Sequence, residues 1–209
     1  MLQRLIPRVA FQWFEGWWAR RYGVFDYAPD CVLRLQLHPH RGATVTLSDG
    51  TVVREGDPVA EVHVDNARLE QLHRGAEDPR RVGLKFARQL TDAFAALAAY
   101  LRDNPQIPAV AVFGTTLYWQ GAQRLGWEVR DLPGGIQRLL LNAWLRFLVW
   151  YYHPEGTRRT AGRERLSRAR QIWISRRRLV ELYGRTHRAG SVRRPEQLVR
   201  RALAKRALV

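Results

Sequence analysis

The sequence predicts an α/β (α+β) fold built on a central mixed sheet, and three stretches carry that prediction. Asp49-Gly50 lies between two strand-like runs, 43–48 and 51–54, and supplies the positive φ angles of a tight hairpin turn. Residues 59–65 alternate strictly, with Ala60, Val62 and Val64 on one face and Glu61, His63 and Asp65 on the other, as in a half-buried strand. From 81 to 102 the apolar residues Val82, Phe86, Leu90, Phe94, Leu97 and Leu101 recur at helical spacing until Asn104-Pro105 stops the run. A long core helix therefore follows that strand.

The other elements fall into place around these. Leu2, Leu5, Ile6, Val9, Ala10, Trp13 and Trp17 are spaced by three and four, which predicts an amphipathic, Trp-rich helix over 2–22 with Pro7 in or near its first turn. Residues 31–37 read as a strand that Pro39 and Gly42 break. After the core helix come a strand at 109–114, a helix at 120–125 and a strand at 127–131, which ends at Pro133-Gly134-Gly135. The sheet thus contains a hairpin and a β-α-β-α-β run.

Residues 136–152 are the most apolar stretch, yet Arg138, Asn142 and Arg146 repeat every four positions and draw a polar stripe along it. At ~1.5 Å per residue this helix reaches roughly 25 Å, short of the ~30 Å hydrocarbon core of a bilayer. It is a core helix or an interfacial one. An Arg-rich linker leads to a short strand at 171–174, a helix from about 176 that Gly184 terminates, and a basic helix from Pro195 onward. With 209 residues, 46% of them hydrophobic, the chain suits one domain over 1–184 and a basic helical or partly disordered tail over 185–209.

Charge is divided unevenly. Of the net +16, residues 153–209 supply +13, with 17 Arg+Lys against 4 Asp+Glu. All basic residues but Lys85 and Lys205 are Arg, whose planar guanidinium matches phosphate and carboxylate bidentately. An anionic partner and a merely solvated tail are the two readings of that excess. The single Cys31 leaves no intramolecular disulfide and no thiolate metal cluster, which suits a cytoplasmic protein. Arg8 and Glu15 interrupt the apolar amino-terminal stretch and Trp13, Trp17 and Trp18 stand where a cleavage site needs small residues, so no signal peptide is expected. His38, His40, His63 and Asp65 come from neighbouring strands as nitrogen and oxygen donors for a metal, or as hydrogen-bonded surface groups; the latter is preferred and no metal is expected.

Two resemblances add expectations to these. The segments 45–53, His63-Val64-Asp65-Asn66-x-Arg68-Leu69, 114–129 and Ile172-Trp173-Ile174-Ser175 are similar to the YkoP-like domain family over most of residues 12–184, a family without an assigned reaction. Relatives near or fused with polysaccharide-modifying enzymes imply a role linked to the cell envelope, although the metal-binding His pair of the polysaccharide deacetylases is missing here. The run from 59 to 131 also resembles the second half of the acyl-CoA-dependent N-acyltransferase (GNAT-like) fold. In that fold acyl-CoA sits between splayed strands and its pyrophosphate meets the amino end of the following helix. That resemblance implies cofactor contacts at Arg80, Arg81, Gly83 and Lys85, which keep an Arg-x-x-Gly core, with Lys85 where a small residue is usual. It makes Glu61 the general base and leaves Tyr118 as the acid, because Ala122 occupies the usual tyrosine position.

Three functions follow. The first is a peripheral membrane-surface or accessory protein at the inner face of the membrane, linked to envelope polysaccharide enzymes. Trp13, Trp17, Arg193, Arg194, Arg200 and Arg201 would make its contacts. The alternatives are a divergent acyl-CoA-dependent N-acyltransferase and a non-specific nucleic-acid binder, the last permitted by basicity but lacking any zinc-finger, homeodomain-like or RNA-recognition signature.

Overall fold

The computed structural model describes residues 8–73, 79–152 and 168–184. Along the chain the elements are α1 (Arg8–Tyr22), β1 (Leu33–Pro39), β2 (Val45–Thr46), β3 (Val52–Val53), β4 (Pro58–Val64), α2 (Asn66–His73), α3 (Pro79–Asp103), β5 (Ala111–Thr116), α4 (Trp119–Arg124), β6 (Glu128–Asp131), α5 (Ile136–Tyr152), β7 (Arg170–Ser175) and α6 (Arg176–Tyr183). Five strands make one mixed sheet in the order β1-β4-β5-β7-β6. Only β4 and β5 pair in parallel; every other neighbour in the sheet is antiparallel. The expected adjacency of the strands around 59–65 and 109–114 is therefore present.

Alternation along the strands sorts the side chains onto two faces. Leu33, Leu35, Ala60, Val62, Val112, Ile172 and Ile174 face the main core, where Phe94, Leu97, Ala98 and Leu101 of α3 meet them. Phe86 and Leu90, earlier on the same helical stripe, pack against this core while partly exposed. The Arg176 guanidinium donates to the carbonyl oxygens of Leu101, Asn104 and Ile107, so the start of α6 satisfies groups that α3 leaves open as it ends. Ser175 caps α6 by accepting from the Arg178 amide at 2.9 Å.

The β2–β3 hairpin stands apart from the five-stranded sheet and covers its second face. Gly50 sits at φ +85° in the turn, where an L side chain is strained. Asp49 beside it accepts from the Ser175 hydroxyl and from Arg177 at 3.1 Å, and Ser48 donates to Glu128 from both backbone and hydroxyl. Burial alone would raise the Asp49 pKa, but the hydrogen bonds from Ser175 and Thr51 and the charge of Arg177 hold it below the ordinary carboxylate value. Leu47 and Val53 thereby seal a second core with Val59, Ala111, Phe113 and Trp173.

Two helices depart from the sequence expectation. α2, absent from that expectation, follows β4 directly. Asp65 starts it, accepting from the Arg68 amide at 3.1 Å. α5 spans the expected residues, but its stripe of Arg138, Asn142 and Arg146 does not mark a simple solvent face. Asn142 accepts from the Ala169 amide at 2.8 Å and thus ties α5 to the approach to β7. Leu141 and Leu145 pack on Leu117, Leu132 and Ala169, whereas Ile136, Leu139, Leu140 and Trp144 are exposed. Among the described residues no helix is long and apolar enough to cross a membrane. The basic helix expected from 195, with Arg193, Arg194, Arg200 and Arg201, lies outside the described residues.

Candidate functional site

On the sheet face opposite α3, strand register builds a row of polar side chains. β1 and β4 pair with Arg34 opposite His63, Gln36 opposite Glu61 and His38 opposite Val59, so all six project to the same side. The row continues as Glu61 opposite Phe113, Phe113 opposite Trp173 and Trp173 opposite Glu128. Phe113 stacks on Trp173 with centroids 4.5 Å apart, and His38 meets Phe113 edge-on at 5.7 Å. The hairpin roofs the aromatic part. Trp18 of α1 lies edge-on to His63 at 5.3 Å, which leaves Glu61 between the hairpin and α1.

The two imidazoles sit in different surroundings. His38 donates from Nδ1 to the Pro39 carbonyl oxygen at 2.8 Å, and its Nε2 lies 3.2 Å from Glu61 Oε2, a spacing at which the cationic imidazole donates to a carboxylate. Burial opposes that charge, but the Glu61 carboxylate and the Pro39 carbonyl outweigh it and raise the His38 pKa above the ordinary histidine value. His63 takes the opposite course. Its Nε2 donates to Gln36 Oε1 at 3.0 Å and lies 3.9 Å from Glu61 Oε2. Burial lowers its pKa, Glu61 pulls it up, and His38 and Arg34 push it down again, so the net shift is downward. The result is a His38 biased toward the cation by its Glu61 partner beside a His63 biased toward the neutral form.

Both nitrogens of His38 are occupied, so it orients Glu61 rather than serving as a base itself. Glu61 is 24% exposed at its side chain, so it is not sealed from a ligand. Beyond the Glu61–Phe113 pair, β4 and β5 run on without further pairing. Gly114 comes next on β5, where a Cβ would lie 2.8 Å from Val62 Cγ2 and 3.0 Å from the Val62 carbonyl oxygen, so the two strands still approach closely there and a side chain would force them apart.

The other expected site residues lie elsewhere. Tyr118 is exposed at the start of α4, and its ring meets Phe86 of α3, on the side of the sheet opposite to Glu61. Ala122 is buried in the main core. Arg80 and Arg81 fall in the first turn of α3 and Gly83 in the next, followed by an exposed Lys85. α2 comes between them and β4, and the amino end of α2 is filled by the Asp65 carboxylate. His38, His40, His63 and Asp65 do not converge: His40 bonds the Ala43 carbonyl oxygen and sits edge-on to Trp173, while Asp65 is engaged by Arg68. Among the described residues no group of three or more His, Cys, Asp or Glu could hold a metal ion. Trp13 and Trp17 project to solvent, 74% and 53% exposed.

Sequence reasoning missed Gln36, the His38–Glu61 pair and Trp18 as parts of one site. The alternation of 31–37 continued to His38 was the available signal, since it places Gln36 and His38 on one face.

Residues 9–183 match the YkoP domain. A protein of Bacillus subtilis (strain 168) named "Uncharacterized protein YkoP" is 26% identical over 110 residues, an alignment that takes in 52% of this chain and 60% of that relative. The match thus spans under two thirds of the relative's length. No solved structure matches the chain.

Proposed function

Because the chain belongs to the YkoP domain family and exposes an aromatic face on α1 and α5, we propose that it works as a peripheral protein of an anionic membrane surface. The carrying observation is that face: Trp13 and Trp17 from α1 and Ile136, Leu139, Leu140 and Trp144 from α5 are exposed, and Phe14 joins the two helices by meeting Trp144 at 6.5 Å. Exposed apolar surface of this extent marks an interaction site, and Trp favours the headgroup level of a bilayer. Arg20 and Arg21 close α1, and Arg138 and Arg146 lie on α5. Charge and apolar surface together make a two-part attachment of the kind that holds amphipathic helices on lipid. An accessory role beside polysaccharide-modifying enzymes, at the inner face of the envelope membrane, is the setting the family resemblance supports.

Co-sedimentation with phosphatidylglycerol vesicles tests this. The protein should bind at low salt, and deletion of 185–209, which removes 8 Arg+Lys and 1 Glu, should weaken binding while the melting transition stays. Each basic group near an anionic surface is worth up to about 1 kcal/mol, so a loss of roughly tenfold or more is expected. Absence of vesicle binding sinks the reading. Duplex DNA that strips the protein from vesicles and binds it more tightly would favour the nucleic-acid alternative.

The end of the parallel β4–β5 pairing at Glu61 favours one second reading, a divergent acyl-CoA-dependent N-acyltransferase. There Glu61 would take the proton of an attacking amine, and Arg80, Arg81, Gly83 and Lys85 at the start of α3 would meet the pyrophosphate. Buried Ala122 and the Asp65-filled end of α2 count against it. On this reading Glu61→Gln abolishes acyl transfer from acyl-CoA to a responsive amine while the fold is kept; unchanged turnover removes Glu61 as the base.

A further inference from the structure

Residues 13–22 of α1 lie over the polar row and bury little of their own surface. Of residues 13–22 only Ala19 is buried. The contacts of α1 include Trp18 on His63, Glu15 Oε1 accepting from Asn66 Nδ2 at 2.7 Å, and Phe14 on Trp144. Most helical stability in proteins comes from packing an apolar face. Here Trp13 and Trp17 face outward and the half-buried Trp18 rests on an imidazole. A segment such as 13–22, which buries only Ala19, belongs toward the low-stability end of a fold.

We propose that α1 is a detachable cover over the His63 end of the row, and that an anionic bilayer draws it off and opens Glu61 and His63 to a ligand. The inference rests on the membrane-surface reading. Trp13 and Trp17 reach lipid whether or not α1 is docked, so they give affinity without shifting the equilibrium. Trp18 reaches lipid only when α1 lifts, and it supplies the differential affinity a population shift requires. Arg20 and Arg21, in the last turn of α1, meet the headgroups in the lifted state. The groups that face His63 are Glu61 and His38, Arg34 and Gln36 from the strands, and Trp18 from α1.

Diethyl pyrocarbonate acylates neutral imidazole, and peptide mass spectrometry reads each histidine separately. His63, whose burial favours the neutral form, reports cover rather than charge. His40, against Trp173 and bonded to the Ala43 carbonyl, is the internal control. Phosphatidylglycerol vesicles should raise the His63 rate about fivefold or more and leave His40 unchanged. Trp18→Ala should raise the His63 rate without lipid. A variant that raises His40 as well has lost the whole fold, and then Asn66→Ala, which removes only the link to Glu15, decides by the same criterion. Vesicle-bound protein with an unchanged His63 rate overturns the coupling while leaving the membrane reading intact; failure to bind vesicles overturns both. A His63 that stays protected in the folded variants shows that α1 is not the cover.

Discussion

Trp173→Ala should destabilise the protein by about 3–5 kcal/mol, the usual cost of truncating a buried Trp. Trp173 is fully buried at the centre of β7, which lies between β5 and β6. Its ring stacks on Phe113, carries the edge of His40, and donates from Nε1 to Gln171 Oε1 at 3.2 Å. Leu47 and Val53 of the hairpin close over it. Truncation therefore opens a cavity between hairpin and sheet that rigid strands refill poorly. Domains of this kind are stable by roughly 5–15 kcal/mol, so the loss is a large share of the total. Urea denaturation of wild type, Trp173→Ala and Trp173→Phe measures it, with Trp173→Phe keeping the stack and most of the stability. A loss below about 1 kcal/mol for Trp173→Ala would mean that the hairpin is not a structural roof.

That central position of Trp173 is what the sequence hides best. Residues 171–174 form a short run after an Arg-rich linker, and nothing local says that the run is inserted between β5 and β6; pairing over such separation is decided by tertiary packing. Elements set by local physics were legible. Asp49-Gly50 forces its turn, the alternation of 59–65 puts Ala60 and Val62 on the core face, and the stripe from Phe86 to Leu101 needs only a helical period. α2 escaped because it is short and starts on Asp65, a residue that also completes the strand alternation. The candidate site was half legible for the same reason. Glu61 and His63 could be placed on one face of β4, but their meeting with Gln36 and His38 depends on the β1–β4 register. The polar stripe of α5 misdirects, because Asn142 turns inward to the Ala169 amide and leaves leucines outside.

Trp13→Ala combined with Trp17→Ala should lower affinity for phosphatidylglycerol vesicles by roughly thirtyfold or more while moving stability by only about 0.5 kcal/mol per site. Both rings are largely exposed, so their removal leaves no cavity and breaks no core contact of the kind Trp173 makes. An aromatic side chain offers ~150–250 Å² for burial, and transferring even half of that from water into the interface is worth about 2 kcal/mol per ring. With tenfold per 1.4 kcal/mol, one ring already accounts for roughly thirtyfold, and the two together for more if both insert. The salt dependence separates this term from the electrostatic one: high salt should weaken wild type and variant by similar factors, because the substitutions remove no charge. Vesicle titrations at two salt concentrations, with thermal melts of the free proteins, measure every quantity needed. A variant that melts several degrees lower and binds vesicles as wild type does would show that these rings serve the fold and not the lipid, and the aromatic face of α1 would then need a protein partner instead.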